Sequence, residues 1–500
     1  PGIVVETGGQ VLLSDVTVAN ASAGVLVRGT FNGTDVVFND AYRGLAVMGG
    51  SAMVNGFEAN RIDYEALYVE SGSLNLTEGV ANEVAVGLAN HDVAELFSFG
   101  VNEAGVGVQA LGGTLELNDF TVHNASVGFA TVAGATSVVD SFTGTGLALA
   151  IDAGNADNFV LTHADVQGER LLVGQGATSF TLDGIAYSAT LSTEPRPVLD
   201  VRCLGTCDLR NSVIDGANVG LSWSGSGTSV MDNVSVVAEQ QAVEATGAGH
   251  VSWSNLSLAT PNTGVSIQTP TSSMTDVEVA LSSPSGVGID VLGGQHHWAS
   301  VSVEKPFVSS DRTTFGLRAW YSDLTLDDFS ARNISTGLLL EDSVLVGTTL
   351  EANIGNLAGV HLIDSTFFAT SLTTVAQDEG VLMEGETSLH VASWTAQLHD
   401  TPLMMSSGSE AVIRTFSPMN TAPSSADALG DGILYYGSST NPTVSTTESY
   451  RLLETPVTFT DLQNNPVEAD ITVHGFSIKS NSNGAATLPL VASEIGRAHV

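Results

Sequence analysis

The sequence predicts an all-β solenoid of about twenty coils, with three short strands in each coil. Three observations predict it. A short glycine-led word recurs from one end of the chain to the other. The recurrence has a nearly constant period. Between words, apolar residues alternate with polar ones at period two, the mark of a strand with one buried face.

The word is clearest at Gly44–Gly50, G-L-A-V-M-G-G, and at Gly107–Gly113, G-V-Q-A-L-G-G. Variants begin at Gly24 (G-V-L-V-R-G), Gly128 (G-F-A-T-V-A-G), Gly337 (G-L-L-L-E-D-S) and Gly359 (G-V-H-L-I-D-S). Further words are placed at Gly146, Arg170, Pro197 and Gly432. Most steps between words are 20 to 24 residues. Arg170 to Pro197, Gly288 to Gly316 and Pro402 to Gly432 are longer, so inserted loops are expected there.

Within the first period Val11 and Leu13, then Val16 and Val18, then Val25 and Val27 alternate with polar residues. Such spacing cannot make a helical stripe, and glycine every few residues would weaken any helix. The corners need φ > 0, which Gly and Asn tolerate best. Asn20, Asn39, Asn82, Asn102, Asn124 and Asn333 sit four or five residues before the small residue of their word. A single coil buries too few apolar side chains to offset the entropy of ordering it, so coils must stack on neighbours.

The Gly-apolar-x-apolar words and the Asn-bearing turns resemble the right-handed parallel β-helix superfamily. That superfamily includes pectate-lyase-like enzymes, phage tailspikes and many secreted surface proteins. The resemblance covers about residues 1–440 and implies a fold rather than an activity. A leucine-rich-repeat horseshoe would need L-x-x-L-x-L-x-x-N in series, which is not found. Residues 441–494 change pattern: a Ser/Thr-rich linker, then longer strands with hairpin turns such as L-Q-N-N-P-V. They resemble the start of an immunoglobulin-like or carboxypeptidase-regulatory-like β-sandwich module. The chain begins inside a word, so an earlier native start is expected. Residues 495–500, I-G-R-A-H-V, match a translated sequencing-adapter read and are expected to be an artefact.

Net charge is −39, with Lys305 and Lys479 the only lysines. No basic patch is available to neutralise phosphates, which argues against nucleic acid and against an anionic membrane surface. No run of apolar residues is long enough for a transmembrane helix. Strong acidity suits an extracellular or cell-surface protein in a salty medium, or simply keeps a long solenoid soluble. Cys203 and Cys207 flank a Gly-containing corner; a local disulfide is expected, the alternative being two free buried thiols. Seven N-x-S/T sequons permit glycosylation without arguing for it.

Chemistry is sparse. No nucleotide, zincin or serine-hydrolase motif occurs, and no cofactor motif is present. β-Helix enzymes that cleave polysaccharides carry acids or bases on the outer side of stacked strands. On the outer side of the Gly-led strands the candidates are Glu244 and Asp290, a weak carboxylate pair, with Asp290 and Arg318 expected to form an ion pair. His296-His297-Trp298, assigned to the long insertion before Gly316, could bind sugar or titrate; the alternative is a tryptophan covering a loop. Glu341, Asp342, Asp364 and Glu384 occupy one corner in successive coils. They would suit calcium, the one cofactor the sequence offers, or would form a solvated turn. Tyr68, Trp223, Trp298 and Trp320 offer stacking surfaces for a neutral glycan.

The expected function is therefore a non-catalytic extracellular or cell-surface region of a larger protein. It would act in adhesion, as a spacer or as a glycan-binding scaffold, with a glycan or another cell-surface protein as partner. The rival is a carbohydrate-active β-helix enzyme, a lyase or a hydrolase.

Overall fold

The computed structural model describes residues 1–154, 156–190, 196–307, 313–419, 426–437, 442–461 and 463–491, with the backbone alone at 177. The fold is a right-handed parallel β-helix of about nineteen to twenty coils, all-β throughout, with a small additional β-sheet near the C-terminus. It forms two compact units, Pro1–Leu258 and Ala259–Val500.

In the first unit each strand pairs in parallel with its equivalent one coil away. Ile3 lies beside Val25 and Val25 beside Leu45; Val11 lies beside Phe31, and Phe99 beside Phe120. The sequence encodes this through a single left-handed residue between two strands. Asp15, Asp35, Gly56, Glu78, Ser98, Asp119 and Ser141 hold this position in successive coils, with φ between 50° and 76°. One such residue turns the chain, so that Leu13 and Val16, three apart, both face inward. The core is built from like side chains at like positions. Phe99 stacks on Phe120 at 6.3 Å between ring centroids, and Phe120 on Phe142 at 5.3 Å.

The register corrects four word positions. The equivalent of Gly128 is Ala150 and not Gly146, because Phe129 pairs with Ile151. Leu171 and Val198 replace Arg170 and Pro197, since Leu172 pairs with Ile151 and with Leu199. In the second unit the last word falls at Asp427, not Gly432, because Leu403 pairs with Ala428. Gly146 instead takes φ +66° at a corner beside Asn124. The three longer steps, where inserted loops are expected, contain residues 191–195, 308–312 and 420–425, which lie outside the described residues, as do 438–441 and the tail 495–500.

The lead glycines are needed for close approach rather than for φ. A Cβ on Gly24 would lie 2.1 Å from Phe38 Cδ1 and 2.7 Å from the Gly44 carbonyl oxygen. The asparagine corners divide in two. Asn20, Asn124 and Asn333 are left-handed, whereas at other coils that conformation falls to Asp40, Arg61, Glu83 and Glu103. Asn39, Asn60, Asn82 and Asn102 stand one residue earlier and link side chain to side chain at 2.8–2.9 Å. Cys203 and Cys207 are joined by a disulfide and are themselves buried.

The second unit repeats the same plan. Leu317 pairs with Leu338, Leu338 with Val360 and Val360 with Val381. One corner carries a serine ladder: the backbone N–H of Ser322 donates to Ser343 Oγ, and that of Ser343 to Ser365 Oγ, both at 3.1 Å. Parallel pairing continues to Arg451, beside Tyr436. From Leu452 the strand Val444–Thr458 pairs antiparallel with Ala485–Val491, and a hairpin joins Asp470–Val473 to Phe476–Lys479. That hairpin packs back on the unit's flank, where Phe368, His390, Val412, Tyr435 and Tyr450 form one outward ladder.

Candidate ligand-binding face

Two clusters among the described residues lie on or beside the outer side of the Gly-led strands, one in each unit. In the second unit Ser266, Asp290, Arg318, Leu339, His361 and Leu382 follow one another in register. Arg318 grips Asp290 with both arms, Nε to Oδ1 at 3.1 Å and Nη2 to Oδ2 at 3.0 Å. Its guanidinium lies 4.3 Å from the centre of the Trp320 ring. Trp320 donates its indole N–H to Glu341 Oε2 at 2.8 Å. Asp290 thus has both oxygens held by Arg318, the ion pair expected from the sequence. Glu244 is half-buried beside Ser222 in the first unit.

The corner acids are laddered neighbours. Glu341 lies beside Ile363, and Ile363 beside Glu384; Asp342 and Asp364 are left-handed at φ 48° and 47°. Their carboxylates turn to separate partners: Glu341 to Trp320, Asp364 to the Glu386 backbone N–H at 2.8 Å, and Glu384 to His361 at 3.2 Å. Among the described residues no group of three or more His, Cys, Asp or Glu is gathered to hold a metal ion.

The stretch His296-His297-Trp298 is not an inserted loop. It lies inside the strand Gly286–Glu304, with Met274 beside Trp298 and Leu326 on the other side. Trp298 is fully buried and donates its indole N–H to Ser272 Oγ at 2.8 Å. His296 is buried as well, and burial holds its pKa below the usual histidine range. His297 alone is exposed, 3.7 Å from Asp327. Trp223 is likewise a core residue, stacked on Phe180 at 5.8 Å. Neither Trp223 nor Trp298 can offer a surface to a ligand.

The first unit holds a cluster of which sequence reasoning found Tyr68 but missed Tyr42, Arg43 and Tyr64. Tyr42 and Tyr64 stack at 5.6 Å with their planes 17° apart. Between them and Tyr68 lies Arg43, 4.3 Å from the Tyr68 ring centre. Arg43 is fixed by Glu65, Nε to Oε2 at 2.6 Å, and that hydrogen bond raises its already high pKa. Tyr68 also meets His91 edge to face, and burial raises the Tyr68 pKa. The signal was present: Tyr-Arg-Gly at 42–44 and Tyr-Glu-Ala at 64–66 place an aromatic, a charge and a small residue just ahead of two successive words. On another flank an open depression of about 480 Å³ is lined by Asp35, Glu58 and Glu78 among others.

The parallel coils form a β-solenoid of the general pectate-lyase-like fold type. No known protein family, curated protein or solved structure matches the chain. Among the described residues, no helix is long and apolar enough to cross a membrane.

Proposed function

We propose that the chain is a non-catalytic, extracellular or cell-surface β-helix scaffold that serves adhesion by binding neutral glycan on its Gly-led face. One observation carries the reading. On that face each arginine of the two clusters is neutralised by a carboxylate and laid against an aromatic ring: Arg43 on Glu65 and Tyr68, Arg318 on Asp290 and Trp320. Such pairing leaves rings and hydroxyls for a ligand rather than open charge. A net charge of −39 would also repel a uronate polymer, an objection that neutral glycans escape.

The polysaccharide-cleaving alternative is favoured by one feature, the acidic depression at Asp35, Glu58 and Glu78. A panel of pectins, alginates and neutral glycans tests both, with binding and product release measured on the same samples. The expected result is retention of a neutral glycan with no new reducing ends and no unsaturated product. Turnover abolished by Glu58→Gln, Glu244→Gln or Asp290→Asn would establish the enzyme reading instead. Absence of binding to every glycan would leave a spacer.

A further inference from the structure

We infer that Tyr42 and Tyr64 form a carbohydrate subsite that takes neutral pyranose rings. This rests on the glycan-binding reading above and deepens it to named residues. The two tyrosines come from adjacent coils: the Tyr64 backbone N–H donates to the Tyr42 carbonyl, and that of Tyr42 to Ala21. Their rings stand nearly parallel at 5.6 Å, close to the roughly 4.8 Å between neighbouring strands. Tyr42 remains 49% exposed and Tyr64 44%, unlike the phenylalanine stacks of the core. The corners of the flanking coils carry Ser22 and Ala85, too short to cover the outer ring faces.

The base beneath the pair is rigid and neutral. Glu65 is 5% exposed and pins Arg43, whose guanidinium lies 5.8 Å from the Tyr42 ring centre and 5.7 Å from that of Tyr64. The guanidinium charge polarises the rings but is balanced by the carboxylate beside it. The exposed surface thus consists of flat apolar faces rimmed by phenol hydroxyls. A pyranose presents the complement, with C–H groups on its flat side and hydroxyls at its edge. An anionic sugar or a nucleotide would instead approach a strongly acidic protein.

The test uses the full chain with cellohexaose, xylohexaose, mannohexaose and maltohexaose as probes, titrated by calorimetry. Tyr42→Ala and Tyr64→Ala are each expected to weaken the bound hexaose about two- to tenfold, and Tyr42→Phe and Tyr64→Phe to retain most of the affinity. A folding defect is separated from a binding defect by a second measurement on the parent, nitration of Tyr42 and Tyr64, which saturating hexaose should slow. If the parent binds a hexaose and neither alanine variant weakens it, the subsite is overturned while the glycan-binding function stands. If the parent binds no probe and no neutral polysaccharide, both fall. Unchanged nitration in the presence of a bound hexaose also places the ligand elsewhere.

Discussion

Ser272→Ala is expected to be among the most costly one-atom changes in the chain. Ser272 is buried between Trp298 and His296. The Trp298 indole N–H donates to Ser272 Oγ at 2.8 Å, and Ser272 Oγ lies 2.7 Å from His296 Nδ1. His296 Nε2 lies 2.7 Å from the Gly293 carbonyl oxygen, which can only accept. The histidine proton therefore sits on Nε2, and Nδ1 accepts from the serine hydroxyl. Removing that hydroxyl strands a buried indole N–H and a buried imidazole nitrogen. At ~1–3 kcal/mol for each of the two unsatisfied groups, the loss is roughly 2–6 kcal/mol. In a solenoid the cost falls on the affected coil and its neighbours, so a local readout suits it better than a global melt. Amide exchange at Thr271–Leu281 and Gly286–Glu304 should accelerate by about 30-fold or more in Ser272→Ala, and little in Ser272→Thr. Unchanged exchange would refute the network.

Two further outcomes are expected. His390 lies under the C-terminal hairpin, 3.0 Å from the His474 carbonyl oxygen, stacked on Phe368 at 4.8 Å and with Phe476 edge-on. Burial lowers its pKa against the opposing pull of the His474 carbonyl and of Glu410, while His474 itself adds to the lowering. A histidine with a lowered folded pKa contributes stability above its ordinary value of 6.5, and that stability is lost as pH falls through the lowered value. Amides of Asp470–Lys479 should thus be better protected at about pH 7.5 than at about pH 5 after correction for intrinsic rates, and His390→Phe should flatten the difference. Equal protection at both pH values would refute a pH-dependent hold of His390 on the hairpin. Phe120→Ala, at the centre of the Phe99–Phe120–Phe142 stack, should cost ~3–5 kcal/mol by local exchange, and Phe120→Leu much less. A cost below about 1 kcal/mol for the alanine variant would mean that the stack is not a packed core.

The coils were legible in the sequence because their period is written twice, once in the glycine-led words and once in the alternation between them. Which small residue belongs to the stack was not legible at every coil. Gly146 and Ala150 are both small residues followed by apolar ones, and only the pairing of Phe129 with Ile151 separates them. The misreading of His296-His297-Trp298 has a different cause. Trp298-Ala-Ser-Val301-Ser-Val303 repeats the spacing of Leu13-Ser-Asp-Val16-Thr-Val18, down to a left-handed residue at Ser300 as at Asp15. The strand pattern was there, but histidines beside a tryptophan suggested a ligand loop.

Inward residues follow from spacing alone, since each inward position repeats within its own coil. Tyr42 and Tyr64 lie 22 residues apart, and nothing local to either makes them neighbours. They meet because the corner between Ala41 and Gly44 is followed one coil later by the corner between Ile62 and Ala66, and Ala41 pairs with Ile62. Trp320 and Glu341, 21 residues apart, meet for the same reason, as do Arg318 and Asp290 at 28. In this fold a surface site is a column of single contributions from successive coils. The residues that form one are found by aligning the chain on its register and reading down the outward positions, not along the chain. On that criterion the outward columns among the described residues include Tyr42 beside Tyr64, Asp290 beside Arg318, Trp320 beside Glu341, and the ladder from Phe368 to Tyr450. Tyr42 and Tyr64 expose stacked rings, whereas the stacked Tyr450 gives its hydroxyl to Glu448, and so the Tyr42–Tyr64 pair is the first place to look for a bound glycan.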